Sequence, residues 1–156
     1  MNTSSRFVIA VHILVGLDII TEVRKLECVN SEMMAWSVNT NPVVIRRILS
    51  TLRKAGLVTS KPGPDGGSQL ARHSEKITLL DVYQAVEDGS LFHFHYSEPN
   101  PQCPIGAHIT SALKGVFGEA EVAMKNALAR FTVQDVSAEI KSRVEESFPQ
   151  CSNLPT

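Results

Sequence analysis

Three histidines and one cysteine lie close together in the sequence, at His93, His95, Cys103 and His108. Imidazoles and a thiolate are ligands that zinc and iron accept, so a four-ligand metal site is one interpretation. The spacing matches no established motif, and phenylalanines alternate with the first two histidines, which is typical of an extended segment with its histidines outward. If these residues did bind a ligand, the protein would be a dimer that senses a small molecule or a metal and binds DNA weakly or not at all. This is the alternative to the function that the rest of the sequence favours.

Cys103 could also act alone, as a sensor. It directly precedes Pro104, near which a long helix is expected to begin, and a helix N-terminus lowers the pKa of a thiol. An exposed thiolate there could be oxidised, or alkylated by quinones or aldehydes. A buried structural cysteine is the other interpretation. No phosphate loop, nucleophile elbow or metalloprotease motif occurs, so the sequence does not predict an enzyme.

Basic residues concentrate between residues 42 and 76, where seven basic and two acidic residues give a formal charge of +5. The rest of the chain carries −6, so the net charge of −1 is unevenly distributed. A basic region of this kind suits DNA phosphates, which supply much of the affinity for DNA. We expect contacts to double-stranded DNA from Ser31, Thr40, Asn41, Pro42, Val43, Arg46, Arg47, Ser60, Lys61, Gly63, Gly66 and Gly67.

A helix-turn-helix is predicted to position the first seven of these residues. Asn41 followed by Pro42 is a strong helix start and Gly56 a strong end, so a helix is expected over residues 42–54. A short helix with Ser31 as its N-cap precedes it. An ordinary solvent-exposed helix would also explain the arginine pair, but the hairpin that follows favours DNA binding.

That hairpin is predicted from two strand-like segments, residues 57–60 and 68–71, which flank a turn rich in glycine and proline. Its polar residues and glycine amides could contact phosphates beside the groove that the helix enters. A first helix is expected over residues 4–17, and Trp36 is expected to pack between the helices. These elements together predict a winged helix-turn-helix.

A long helix, residues 105–131, carries an apolar stripe that is longer than a small monomer needs. Burial against a second copy of the chain is the expected solution, and packing on the first and fourth helices is the other. A two-fold dimer would also present two recognition helices one DNA turn apart. The expected dimer interface comprises Ile105, Ile109, Leu113, Val116, Phe117, Ala120 and Met124.

The segment from residue 52 to residue 87 resembles a known family. The order LRKAGLV-x-S-x-x-G-P-x-G-G-x-x-L-A-R, followed by I-T-L-x-D-V-x-x-A-V-E, is similar to the bacterial Rrf-type winged helix-turn-helix regulators. The segments VNTNPVVIRR and NPQCPIG are closer to a cluster-free, YwnA-like branch. The resemblance implies a homodimer that is joined along the long helix and usually represses transcription from a pseudo-palindromic operator. From Cys103 and the loop before that helix, we expect an oxidant or a small molecule as inducer.

Two departures from the family pattern matter. Members that hold an iron–sulfur cluster carry three cysteines in and after the loop behind the fourth helix, often with a nearby histidine. This chain has only Cys103 there, and Gly106 stands at the histidine position, so no cluster and no other cofactor is expected. In the wing, Pro62 replaces the arginine that the family often has, which leaves Lys61 as the nearest substitute.

The expected fold is mainly α with a small β wing. Its predicted parts are a DNA-binding domain (1–88), a sensor loop (89–104), a dimerisation helix with a short terminal helix (105–148) and a flexible tail (149–156). Three cysteines form no disulfide framework and no apolar run is long enough to span a membrane, so we expect a cytoplasmic protein without a membrane partner.

Overall fold

A computed structural model describes the backbone of residues 3–147 and the side chains of residues 5–144. The predicted tail, 149–156, lies outside the described residues. The fold is mainly helical with one antiparallel pair of strands, which confirms the predicted class. The elements in chain order are α1 (Thr3–Arg24), α2 (Ser31–Val38), α3 (Pro42–Lys54), β1 (Val58–Lys61), β2 (Gly67–Leu70), a 3-10 turn (Ser74–Lys76), α4 (Leu79–Val86), α5 (Pro104–Ala129) and α6 (Val133–Ser147).

Helix α1 is longer than the sequence predicted, since it continues beyond Leu17 to Arg24. Leu17 and Ile20 are both buried in the core, so the apolar stripe extends past the expected end. The helix stops at Lys25, whose backbone is left-handed with a φ of 55°. Lysine rarely adopts this conformation, which is why the sequence contained no stop signal there.

Helices α2 and α3 form the predicted helix-turn-helix. Asn30, rather than Ser31, is the N-cap of α2, because its side chain accepts from the backbone N–H of Met33 at 2.8 Å. Asn41 caps α3 as predicted and accepts from the N–H of Val43 at 2.8 Å. Between the helices, Asn39 takes a left-handed conformation with a φ of 56°, and this produces the tight turn.

The hairpin pairs β1 with β2 so that Lys61 lies opposite Gly67. It is anchored to the segment between α1 and α2, where Val29 and Ser68 exchange backbone hydrogen bonds of 2.9 and 2.8 Å. Gly67 permits this approach, because a Cβ at that position would lie 2.5 Å from the carbonyl oxygen of Val29. The wing is therefore fixed at its base.

Helix α4 begins with a capping box, in which Thr78 and Asp81 each satisfy the other's backbone N–H. The core of the molecule lies between α1, α2, α3, α4 and the base of the wing. Helix α6 also contributes to this core, since Val133 is fully buried and α6 packs along α1. The terminal helix is thus not short, and it contacts the DNA-binding half of the chain.

Candidate nucleic-acid interface

Helix α3 has one buried face and one basic face. Its buried residues are Ile45, Ile48, Leu49 and Leu52. The solvent-facing side carries four exposed cations, and α3 contains no acidic residue, so the charge on this side is uncompensated within the helix. Together with the exposed lysine at the end of β1 they form what we call the basic surface, comprising Arg46, Arg47, Arg53, Lys54 and Lys61.

The N-terminus of α3 adds groups suited to base edges. Val43 is 55% exposed, so its methyl groups are available to a thymine methyl. Asn41 is exposed, but its Oδ1 already accepts the capping bond, which leaves its amide N–H groups as donors. Thr40 and Pro42 are half-buried beside it. These positions agree with the predicted contact region, and their contacts to DNA remain a prediction.

The wing presents polar groups at its tip. Ser60 and Lys61 are exposed at the end of β1. Gly63 has a φ of 110°, a conformation that favours glycine, and its carbonyl accepts from the N–H of Gly66 at 3.0 Å. The turn is therefore closed by its own backbone, and the exposed Lys61 lies directly before it.

Two cations of the basic surface are ion-paired. Lys61 Nζ lies 2.6 Å from Glu27 Oε2, and this contact raises the pKa of the lysine and lowers the pKa of the glutamate. Arg46 Nη1 lies 3.3 Å from Glu32 Oε1, and the other oxygen of Glu32 accepts from Ser31 at 3.1 Å. Within residues 5–144, the remaining three cations of this surface have no ion pair.

Trp36 does not pack between the helices, so that expectation is wrong. Its side chain is 64% exposed on α2. Met34 and Ala35 supply the buried side of this short helix, and Trp36 falls on the opposite face. His12 of α1 is half-buried, and its Nε2 hydrogen-bonds with Ser37 Oγ at 2.9 Å. Burial lowers the pKa of His12.

Cys103 is the N-cap residue of α5 and is exposed, so the structural-cysteine interpretation is not supported. The backbone N–H groups of Gly106 and Ile105 hold the pKa of its thiol below the ordinary value. Asn100 shapes the preceding turn, because its carbonyl accepts from the N–H of Cys103 at 3.2 Å. The position thus favours a thiolate open to solvent.

The histidines proposed as metal ligands do not assemble around this thiol. His93, His95 and His108 are exposed, and the described side chains, residues 5–144, contain no group of three or more arranged to hold a metal ion. Phe92 and Phe94 instead pack on Phe117 of α5, with ring centroids 4.5 and 5.4 Å from its ring. The alternation of aromatic and histidine residues therefore anchors the loop to α5.

Helix α5, all of whose residues are described, contains no buried residue. Its predicted interface residues divide between two sides. Phe117 faces its own chain, whereas Ile105 is 74% and Val116 60% exposed. The other four predicted interface residues are half-buried, namely Ile109, Leu113, Ala120 and Met124. The described chain thus leaves an apolar face of α5 uncovered, and the dimer through this face stays a prediction.

Sequence reasoning missed two kinds of residue at this site. Arg53 and Lys54 lie on the same face as the predicted arginines, as their helical spacing already indicates. Glu27 and Glu32 were not predicted, because their pairing joins residues 34 and 14 positions apart in the chain. Only the folded arrangement of α2 and the wing brings those carboxylates to the basic surface.

Comparison with known proteins gives consistent matches over most of the chain. The Rrf2 family model, described as an iron-dependent transcriptional regulator, matches residues 3–139. The chain is 41% identical to YwnA of Bacillus subtilis (strain 168), named as an HTH-type transcriptional regulator, over 85% of this chain and 95% of YwnA.

Solved structures show the same fold. One, described as a DNA-binding protein, is 38% identical with a TM-score of 0.66 and covers 84% of this chain and 97% of its own. Another, a transcriptional regulator from Lactobacillus plantarum, is 30% identical with a TM-score of 0.71. The match covers 89% of this chain and 91% of the Lactobacillus chain. No helix within residues 3–147 is long and apolar enough to cross a membrane.

The family description names iron, and iron–sulfur clusters are held mainly by cysteine thiolates, so the described cysteines are the first candidate ligands. Of the described cysteines, Cys103 caps α5, and Cys28 donates to the carbonyl of Asp65 at the wing. At Gly106, three residues into α5 from Cys103, a Cβ would lie 2.3 Å from the carbonyl oxygen of Asn100. Within the described loop Cys103 is the one thiolate, whereas an iron–sulfur cluster is held by several thiolates close together.

Proposed function

Because this chain belongs to the Rrf2 family of transcriptional regulators, we propose that it binds a pseudo-palindromic operator as a homodimer and represses transcription until Cys103 changes state. The family consists of DNA-binding proteins rather than enzymes. Absence of a cluster, and the domain boundaries at residues 88 and 104, stay predictions.

The observation that carries the proposal is the basic face of α3. Its cations project from the side opposite the core, and the exposed Val43 marks the end that would face base edges. The wing follows directly, so its amides and Lys61 flank the same surface. Phosphate contacts would set the register, and the N-terminal residues of α3 would select the sequence.

A gel-shift assay with DNA from upstream of the protein's own gene tests this proposal. At about 100 mM salt, a specific regulator still binds its operator in preference to unrelated DNA of the same length. A footprint with two halves centred about one helical turn apart would match two recognition helices of a dimer. No preference over unrelated DNA, for this fragment and for genomic fragments selected in parallel, would contradict the proposal.

Oxidants and electrophiles are proposed to act through the Cys103 thiolate. The thiolate adds to a ring carbon of a quinone and forms an S–C bond, while the electron pair of the attacked C=C bond moves to a carbonyl oxygen, which takes up a proton. The hydrogen on the attacked carbon then shifts to the other oxygen, which leaves a hydroquinone thioether. The added group would lie at the start of α5, beside the exposed Ile105. A change there alters the helix that is proposed to join the subunits, and therefore the spacing of the two recognition helices.

Cys103→Ser provides the test, with Cys28→Ser as its matched control. Treatment with benzoquinone should release DNA from the wild-type protein and from the control, and should leave the Cys103→Ser complex intact. Because the thiol pKa of Cys103 is lowered, its alkylation by iodoacetamide should reach half-maximal rate below the pH at which an ordinary thiol does. Release of DNA from the Cys103→Ser protein would exclude this thiol as the sensor.

A further inference from the structure

The backbone around Lys61 and Glu27 keeps the two residues near each other. Glu27 lies in the segment between α1 and α2, two residues before Val29, which is hydrogen-bonded to Ser68 of β2. Lys61 ends β1, so the same hairpin holds both partners in reach of each other. The contact of 2.6 Å occupies the lysine that the wing would offer to a phosphate.

The pairing of Arg46 with Glu32 has a similar arrangement. Glu32 lies in the first turn of α2, where the helix dipole favours a carboxylate. Since α2 packs on α3, its carboxylate reaches Arg46 at 3.3 Å across the helix-turn-helix. The arginine beside it in sequence, Arg47, has no ion pair within residues 5–144.

We propose that Glu27 and Glu32 compete with DNA for Lys61 and Arg46, and so limit the affinity of the regulator. The inference depends on the proposed DNA contacts of α3 and the wing. Each carboxylate takes the position that a phosphate oxygen would take at the same cation. When DNA binds, either the pair opens and leaves a carboxylate near the phosphates, or the cation makes no contact. Both outcomes weaken binding.

The size of the effect follows from the exposure of the pairs. All four side chains are at least half exposed, so each pair is weak and opens easily. Removing one carboxylate should strengthen DNA binding on the order of two- to fivefold at low salt. It should also make the dependence of log K on log salt steeper by up to about one unit, because one more cation then acts on the phosphates.

The experiment measures binding of the full-length dimer to its operator by fluorescence anisotropy over a range of salt concentrations. Glu27→Gln and Glu32→Gln should each bind more tightly and with a steeper salt dependence. Glu139→Gln is the matched control, because it removes one charge from an exposed pair with Arg143, 2.8 Å apart on α6. Urea unfolding of each variant checks that its stability is unchanged.

A double-mutant cycle separates competition from a general change in charge. If Glu27 acts through Lys61, the gain from Glu27→Gln should fall to the level of the Glu139→Gln control in a Lys61→Met protein. An equal gain in both backgrounds, or no gain in either, would overturn the inference. Both of these outcomes assume that the wild-type protein prefers its operator over unrelated DNA. If the proposed function were wrong, the wild-type protein would show no such preference.

Discussion

Among single residues, Arg47 is the most informative position for DNA binding. It is exposed on the basic face of α3, and within the described side chains it is held by no carboxylate. We expect Arg47→Met to weaken operator binding about tenfold and to reduce the salt slope by about one unit, because a cation that is free before binding contributes fully to the contact. Fluorescence anisotropy at several salt concentrations measures both quantities.

Arg130→Met is the control for that prediction, since it removes the same charge from an exposed arginine at the end of α5. It should leave the affinity and the salt slope close to the wild-type values. Equal losses in the two variants would mean that overall charge, rather than the face of α3, determines binding.

Sequence reasoning located single side chains only where helical spacing determines them. The buried and exposed positions of α3 follow from its periodicity, because polar and apolar residues alternate with the helical repeat. Trp36 was misplaced, because α2 has only eight residues and its apolar side chains do not define one helical face. The carboxylates that pair with Lys61 and Arg46 could not be predicted, because tertiary contacts bring them together and no local sequence pattern indicates such contacts.

At the level of elements, the attachment of the wing depends on Gly67. A Cβ at this position would lie 2.5 Å from the carbonyl oxygen of Val29, so Gly67→Ala must displace either the segment before α2 or strand β2. We expect a loss of about 1–3 kcal/mol in the free energy of unfolding, as for other overpacked sites. Urea denaturation measures the loss, and operator binding should weaken with it.

Gly89→Ala is the matched substitution, because a Cβ there would meet no atom within 4 Å. Its free energy of unfolding should stay the same or rise slightly, since alanine restricts the unfolded chain. If Gly67→Ala were equally harmless, the close contact between the wing and Val29 would not exist in solution.

Element boundaries were predictable where a residue gives a chemical stop or start. Asn41 and Pro42 start α3, and Thr132 stabilises the first turn of the last helix through Asp135. The end of α1 was not predictable, because Lys25 adopts a left-handed conformation without being glycine or asparagine. The length of α6 was underestimated, since its main contacts are with α1 and the 3-10 turn, which are distant in the chain.

At the scale of the whole molecule, the uneven charge and the uncovered helix belong together. The basic surface lies on α3 and the wing, whereas α5 exposes an apolar face. A monomer would leave that face in water, which costs free energy in proportion to its apolar area. Pairing of two copies along α5 would remove this cost and bring two basic surfaces to one DNA duplex.

Val116 is the residue on which the dimer can be tested without disturbing the monomer. It is 60% exposed on α5, so an aspartate there meets solvent in the monomer but would place an unpaired charge inside the proposed interface. Sedimentation velocity should therefore show monomers for Val116→Asp, and its operator affinity should fall because two linked half-site contacts become independent. Val23→Asp, at a valine that is 56% exposed on α1, should remain dimeric. A Val116→Asp protein that is still a dimer, with circular dichroism like that of the wild type, would show that the subunits do not associate through this face of α5.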